Sequence, residues 1–339
     1  MIHEAMLYEK LPEGRVQCRL CAHHCKILPS KRGLCGVREN RGGVLFSLVY
    51  GSLIAENVDP IEKKPLFHVY PGSRSFSIAT VGCNFTCGFC QNHDISQMPR
   101  ESLQVPGHPV NPADIVERAI ITGSSSISYT YTEPTVYFEY AYDIAMLARE
   151  RQLKNVFVTN GFMTGRAIDR IAPYLDAANV DLKSFRDEFY RNQCGARLQP
   201  VLDGLRAMKE QGIWVEVTTL LIPGLNDGEE ELRQIGSFIA SLGRETPWHI
   251  SRFYPRHKMK DIPATQVAAI AHASEIGKAA GLKYVYSGNV PGHQGENTFC
   301  SRCGGLLIDR HGYTVRQMHL KGAACLTCKT PLDGIFQCS

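Results

Sequence analysis

The stretch Thr80-Val-Gly-Cys83-Asn-Phe-Thr-Cys87-Gly-Phe-Cys90-Gln-Asn92 follows directly on the β-rich run Phe76-Ser-Ile-Ala-Thr-Val81, so three cysteines at C-x3-C-x2-C sit on one tight loop after a strand. Three soft thiolates at that spacing suit an iron–sulfur cluster. A cubane cluster has four irons, and three thiolates leave one iron open unless a distant cysteine reaches it. An open position is where a bound metal does chemistry. Gly82 and Gly88 let the backbone close around the metal with amides directed at sulfur. Taken alone, the loop also reads as a three-cysteine zinc knuckle or as disulfide-forming thiols.

Outward from this loop, residues 73–292 alternate strand and helix patterns. Strands are expected at Phe76–Val81, Ser126–Tyr131, Asn155–Thr159, Ala178–Leu182, Trp214–Leu221, His249–Tyr254 and Lys283–Tyr286. Helices are expected at Asn111–Ile121, Thr135–Arg151, Arg197–Gln211, Asp227–Leu242 and Ala264–Gly281. Asn111-Pro112 reads as a cap followed by an N1 proline, and Asp227 with Glu230 reads as a capping box. Repeated β–α units predict an α/β fold with a parallel sheet, a full or partial (β/α) barrel, whose site lies at the C-terminal ends of the strands. The cysteine loop already lies at such an end.

Two small cysteine-rich parts flank this barrel. Residues 1–72 carry Cys18-Arg-Leu-Cys21-Ala-His-His-Cys25 and then Cys35, a set that suits zinc or a second iron–sulfur cluster, with free thiols as the plainer reading. Residues 293–339 carry Cys300-Ser-Arg-Cys303 and Cys325-Leu-Thr-Cys328, which predict a zinc-ribbon or rubredoxin-like module, zinc ahead of iron. Thirteen cysteines without an apolar leader argue for metal rather than disulfides, and hence for a cytoplasmic protein. A net charge of +4 argues against nucleic acid as a partner, and no apolar stretch is long enough to span a bilayer.

The strand ends carry Tyr131-Thr132-Glu133-Pro134, Thr159-Asn160-Gly161, Asp181-Leu-Lys183, Pro223-Gly-Leu-Asn-Asp227 and His249. Each has a plain explanation: a lone charged strand-end residue is commonly a surface or cap residue, Thr132-Glu133-Pro134 suits a helix's first turn, and Pro223–Asp227 suits a turn. Their joint placement at successive strand ends is the argument for a site.

The cysteine loop, with Phe89 before its last cysteine, resembles the signature of the radical S-adenosylmethionine (SAM) superfamily. The strand-end residues resemble the SAM-binding positions of glycyl-radical-enzyme activating enzymes, typified by pyruvate formate-lyase activating enzyme, although Tyr131-Thr132-Glu133-Pro134 stands where a Gly-Gly-Glu-Pro stretch is usual. Cys18–Cys25, Gly33–Asn40, Thr130–Pro134, Thr246–Pro255 and Tyr286–Gly292 resemble, more narrowly, the AmmeMemoRadiSam system radical SAM enzyme family.

The resemblance implies that Cys83, Cys87 and Cys90 hold a [4Fe-4S] cluster whose open iron chelates SAM. Reductive cleavage of SAM would then give a 5′-deoxyadenosyl radical that abstracts hydrogen. It implies SAM contacts from Phe89, Thr132, Glu133 (ammonium), Lys183 (carboxylate), Asn160 and Asp181 (hydroxyls or nearby polar groups) and His249. It also implies a low-potential electron donor such as ferredoxin or flavodoxin, with AMME-type and Memo-like proteins as partners. Three functions follow: radical chemistry on a protein substrate, the same chemistry on a small metabolite, or a non-catalytic iron–sulfur scaffold or electron carrier.

Overall fold

The computed structural model describes residues 3–290, 292 and 294–336, so Cys338 lies outside the described residues. Eight strands form one sheet: β1 (Ala55–Pro60), β2 (Arg74–Ala79), β3 (Ser126–Tyr129), β4 (Lys154–Thr159), β5 (Ala177–Asp181), β6 (Trp214–Leu221), β7 (Trp248–Arg252) and β8 (Val285–Gly288). Their spatial order is their chain order. From β2 to β8 every neighbouring pair is parallel, whereas β1 runs antiparallel to β2. Among the described residues no ladder joins β1 to β8, so the sheet is open and the barrel partial.

The crossovers hold α1 (His93–Glu101) and α2 (Pro112–Ile121) after β2, then α3 (Phe138–Glu150), α4 (Gly165–Ile171), α5 (Leu198–Glu210), α6 (Glu229–Leu242) and α7 (Val267–Ala279) in turn. Helices outside and side chains inside bury both faces of the inner strands, which is why β3 is buried at all of its positions and reads as a continuous run. Helix α5 presents Val201, Leu202, Leu205 and Met208 as one apolar stripe to the sheet.

Two expectations change. Strand β1 falls in the stretch 1–72, where no strand of the sheet is expected, because exposed Val58 and buried Asp59 break the apolar-in alternation and its end is Pro60; its pairing with β2 makes it a sheet edge, where proline is tolerated. The expected capping box of α6 does not form. The Asp227 carboxylate turns back to accept the Gly224 amide at 2.9 Å, and Gly228 takes the cap position instead.

The C-terminal module, with antiparallel β9 (Thr298–Phe299), β10 (Leu306–His311) and β11 (Thr314–Met318), bridges the two ends of the open sheet. On the β8 side, the Tyr286 hydroxyl lies 2.9 Å from the Thr298 hydroxyl, and the Tyr284 hydroxyl donates to Asp333 at 2.8 Å. On the β1 side, fully buried Arg310 donates to the Phe67 carbonyl at 2.8 Å and faces buried Glu62 at 3.5 Å.

His68 ties both sides together, with Nδ1 at 2.6 Å from the Asp333 carbonyl and Nε2 at 2.7 Å from the Tyr286 hydroxyl. A carbonyl only accepts, so Nδ1 carries the proton and neutral Nε2 accepts from Tyr286. Burial holds His68 neutral, down to about 4, despite Glu216; Arg310 and His249 also face it. The unfolded chain takes up this proton near 6.5 and the folded chain only near 4, so stability present at neutral pH is lost as pH falls across that window. Urea unfolding should lose on the order of 3 kcal/mol between those limits on this account, and His68→Gln should flatten the slope. Equal slopes for the two proteins would refute it.

Candidate functional site

The cysteine loop is held from behind. Its Gly82, Thr86 and Gly88 amides donate to the carbonyls of Ile95 (3.0 Å), Cys194 (2.8 Å) and Gln193 (3.0 Å). Gly82 has φ +103°, and a Cβ there would stand 2.8 Å from Val37 of the N-terminal segment, so both conformation and packing require glycine. Cys83, Cys87 and Cys90 line one wall of a cavity of about 500 Å3 at the C-terminal strand ends. The Phe85 amide donates to Cys83 Sγ at 3.3 Å, the kind of N–H to sulfur contact that orients a metal ligand. Burial pushes the Cys83 thiol well up, and a hydrogen bond with Cys194 together with burial does the same to Cys87. Buried thiols of this kind become thiolates beside a strongly positive group, so the donor set fits a metal cluster.

Opposite the cysteines stand the strand ends. Phe89, Thr132, Glu133, Asn160, Asp181 and Lys183 all line the same cavity. Lys183 Nζ lies 2.8 Å from Asp181 Oδ2 and 5.5 Å from the Phe89 ring centre. Burial opposes its charge, yet Asp181 and the Cys87 sulfur hold it protonated. The Asn226 amide bonds the Lys183 carbonyl at 2.7 Å and the Leu220 carbonyl at 2.9 Å, so the turn after β6 fixes the end of β5. Asn160 Nδ2 donates to Asn84 Oδ1 at 2.7 Å.

Glu133 caps the turn Pro134–Tyr137. Its Oε1 accepts from the Thr135 amide at 3.0 Å and the Thr159 hydroxyl at 2.7 Å, and its Oε2 accepts from the Asn160 amide at 2.8 Å. The plain capping reading of this residue is therefore realised, although Oε2 keeps acceptor capacity. Burial raises this carboxyl against those donors. Gly161, at φ +70°, ends β4 and turns Asn160 to the cavity.

His249 is not at the cavity. Its Nε2 is 2.6 Å from Glu216 Oε2, and its ring lies between Phe67 and Tyr286. Ser251, two residues on and therefore on the same strand face, reaches the rim instead. Glu216 is held low against its burial by His249, with the Phe67 and His68 amides also donating to it.

Several lining residues lack any local signal in the sequence. Lys64, from the segment after β1, pairs with Asp59 at 2.7 Å and lies 4.6 Å from the Tyr131 ring centre, and burial brings it down to about 8. Tyr313, at the β10–β11 turn, reaches the cavity from the C-terminal module. Cys194 stands behind Cys87 but does not line the cavity.

The other cysteines differ in geometry. Cys300, Cys303, Cys325 and Cys328 bring their sulfurs within 4.8 Å of one another, with 3.5 Å between Cys300 and Cys328 and 3.8 Å between Cys303 and Cys325. Zinc–sulfur bonds of ~2.3 Å in a tetrahedron place sulfurs about 3.8 Å apart, so this set fits one metal ion. Cys18, Cys21, Cys25 and Cys35 line a single smaller cavity without such convergence. No helix among the described residues is long and apolar enough to cross a membrane.

Residues 77–235, which carry the cysteine loop and the ends of β3 to β6, match the model of the Radical SAM superfamily. The chain is 45% identical over 335 residues to the uncharacterized protein MJ0808 of Methanocaldococcus jannaschii, covering 98% of this chain and 99% of that one. It is 21% identical over 178 residues to the pyruvate formate-lyase-activating enzyme of Clostridium pasteurianum, covering 51% and 71% of the two chains. The crystal structure of a radical SAM methyltransferase from Sphaerobacter thermophilus shares the fold, with a TM-score of 0.52, 17% identity and coverage of 70% and 71%. Three cysteines on one wall, charged strand ends on the other and these similarities converge on one family: residues 77–235 are similar to the radical SAM superfamily.

Proposed function

We propose that this protein is an activating-type radical SAM enzyme in which Cys83, Cys87 and Cys90 hold a [4Fe-4S] cluster and the strand ends hold SAM. The observation that carries the reading is the joint lining of one cavity by the three thiols and by Lys183, Asp181, Asn160 and Glu133. When bound, the reduced cluster and SAM supply a 5′-deoxyadenosyl radical for hydrogen abstraction.

The chain's own part is to bind and orient. Lys183 receives the SAM carboxylate, and Asp181 keeps the ammonium charged in a buried place. Glu133 Oε2 receives the amino group, since among the described residues the Asn160 amide alone engages that oxygen. Thr132, whose hydroxyl donates to the Thr80 carbonyl at 2.8 Å, fixes the adjoining backbone. Phe89 and the walls exclude water. A cavity of about 500 Å3 suits one cofactor-sized ligand beside a cluster. The hydrogen donor therefore enters at the mouth, past Lys64 and Tyr313, which favours a segment of a protein over a metabolite enclosed with SAM. A low-potential electron donor such as ferredoxin or flavodoxin supplies the electron, and AMME-type and Memo-like proteins are the substrates or partners to test first. The C-terminal thiolates hold zinc, a closed structural site.

The test is anaerobic: reduced, iron-reconstituted protein plus SAM should give 5′-deoxyadenosine by mass spectrometry. Protein that carries its cluster yet neither binds nor cleaves SAM would overturn the proposal. Lys183→Ala should weaken SAM binding about 10- to 150-fold, the ~1.5–3 kcal/mol of a charged hydrogen bond. Unchanged affinity by calorimetry would remove Lys183 from the site.

A further inference from the structure

We infer that Cys18, Cys21, Cys25 and Cys35 hold a second [4Fe-4S] cluster, sharing a wall with the central loop, rather than a zinc ion or free thiols. Three observations carry this. All four cysteines line one cavity, although Cys35 follows Cys25 by a loop of its own. Among the described residues only the C-terminal four bring their ligand atoms within 4.8 Å of one another, and no three of the N-terminal set do. One ion draws four sulfurs together, whereas a cubane spreads them over four corner irons. Cys83, Cys87 and Cys90, on the loop whose spacing suits a cluster, are spread in the same way.

The third observation is the polar lining. Arg38 is 2% exposed and pairs with Glu139 at 3.0 Å, yet its Nε and Nη1 have no hydrogen-bond partner in the protein. Asn84 is 1% exposed and its Nδ2 is likewise unpartnered. Both residues line the four-cysteine cavity. Buried donors left without acceptors cost free energy, and the sulfides and thiolates of a cluster are acceptors that carry negative charge. Free thiols supply only weak acceptors, and the sulfurs' lack of convergence is what sets the site apart from a single-ion centre.

Asn84 also fixes the relation between the two sites. It follows Cys83 directly, its carbonyl meets His23 Nε2 at 2.8 Å, and its Oδ1 accepts from Asn160 of the main cavity. Asn84 thus lines the four-cysteine cavity and hydrogen-bonds a lining residue of the main one.

The test reads metal and needs no SAM, so its failure is distinct from failure of the catalytic proposal. Full-length protein with Cys83, Cys87 and Cys90 all changed to alanine, reconstituted anaerobically, should retain about four iron and four sulfide per chain, with an electron paramagnetic resonance signal on reduction. Zinc should stay at about one per chain. Adding Cys18→Ser and Cys35→Ser should remove that iron. Zinc at twice that level without iron, no metal beyond the C-terminal ion, or iron that survives the added substitutions would each overturn the inference. If the alanine protein does not fold, Cys18→Ser with Cys35→Ser in the otherwise native chain should halve the iron, and an unchanged iron content would overturn it.

Discussion

Cys87→Ala is expected to reduce 5′-deoxyadenosine formation to the level of cluster-free protein and to release the central cluster on reconstitution. Ligand number decides this outcome. With three thiolates the cubane is held at three corners and open at one; with two it is open at a second corner, exposed to solvent and exchange. Cys194 is the obvious replacement, since its thiol hydrogen-bonds the Cys87 sulfur. It does not line the cavity, and its backbone carbonyl is engaged by the Thr86 amide, so recruiting it to the same iron would require moving the Tyr190–Cys194 turn that clamps the loop. The paired control is Cys194→Ala. That protein should keep its iron and show a more negative reduction potential, because hydrogen bonds to cluster sulfurs favour the reduced state. Undiminished SAM cleavage by Cys87→Ala, measured with iron content on the same sample, would contradict the cluster assignment.

Arg310→Ala should destabilise the protein by ~3–5 kcal/mol, the cost of breaking a buried ion pair from one side. Arg310 and Glu62 both have fully buried side chains, and the guanidinium also donates to Thr298 at 2.7 Å and to the Glu296 carbonyl at 3.2 Å. Burial already raises the Glu62 carboxyl against Arg310. Without the guanidinium that carboxyl must take up a proton or remain an unpaired buried charge. Adding Glu62→Gln to the Arg310→Ala protein should therefore restore part of the loss. Because this pair anchors the C-terminal module on the β1 side and holds the hairpin that delivers Tyr313, the single substitution should also weaken SAM binding. A loss under about 1 kcal/mol in urea titration would mean that the seam is held by apolar packing and the C-terminal four-cysteine set instead.

Much of the site was legible from local spacing. The three-cysteine loop, the paired C-terminal knuckles and the strand-end residues Thr132, Glu133, Asn160, Asp181 and Lys183 each announce themselves within a few residues, and all of those strand-end residues line the cavity. Glu133 shows the limit of that legibility. Its position was readable, but its carboxylate spends most of its capacity capping a turn and holding the start of the next loop. His249 does not line the cavity, for a different reason. Strand alternation predicts which face a side chain takes, not its depth, and Glu216 captures the imidazole below the rim.

By itself, then, the sequence determined the chemistry available: thiolate sets whose spacing is covalent, and a β–α alternation whose handed crossovers bring strand ends to one rim. The tertiary structure alone decided what meets at that rim. Lys64 arrives from the N-terminal segment and Tyr313 from the C-terminal hairpin, while Cys194 meets Cys87 and Asn84 lines the second cysteine cavity beside Asn160. These meetings join residues far apart in the chain. They are selected by burial and by the pairing of buried charges, which no local pattern of residues encodes.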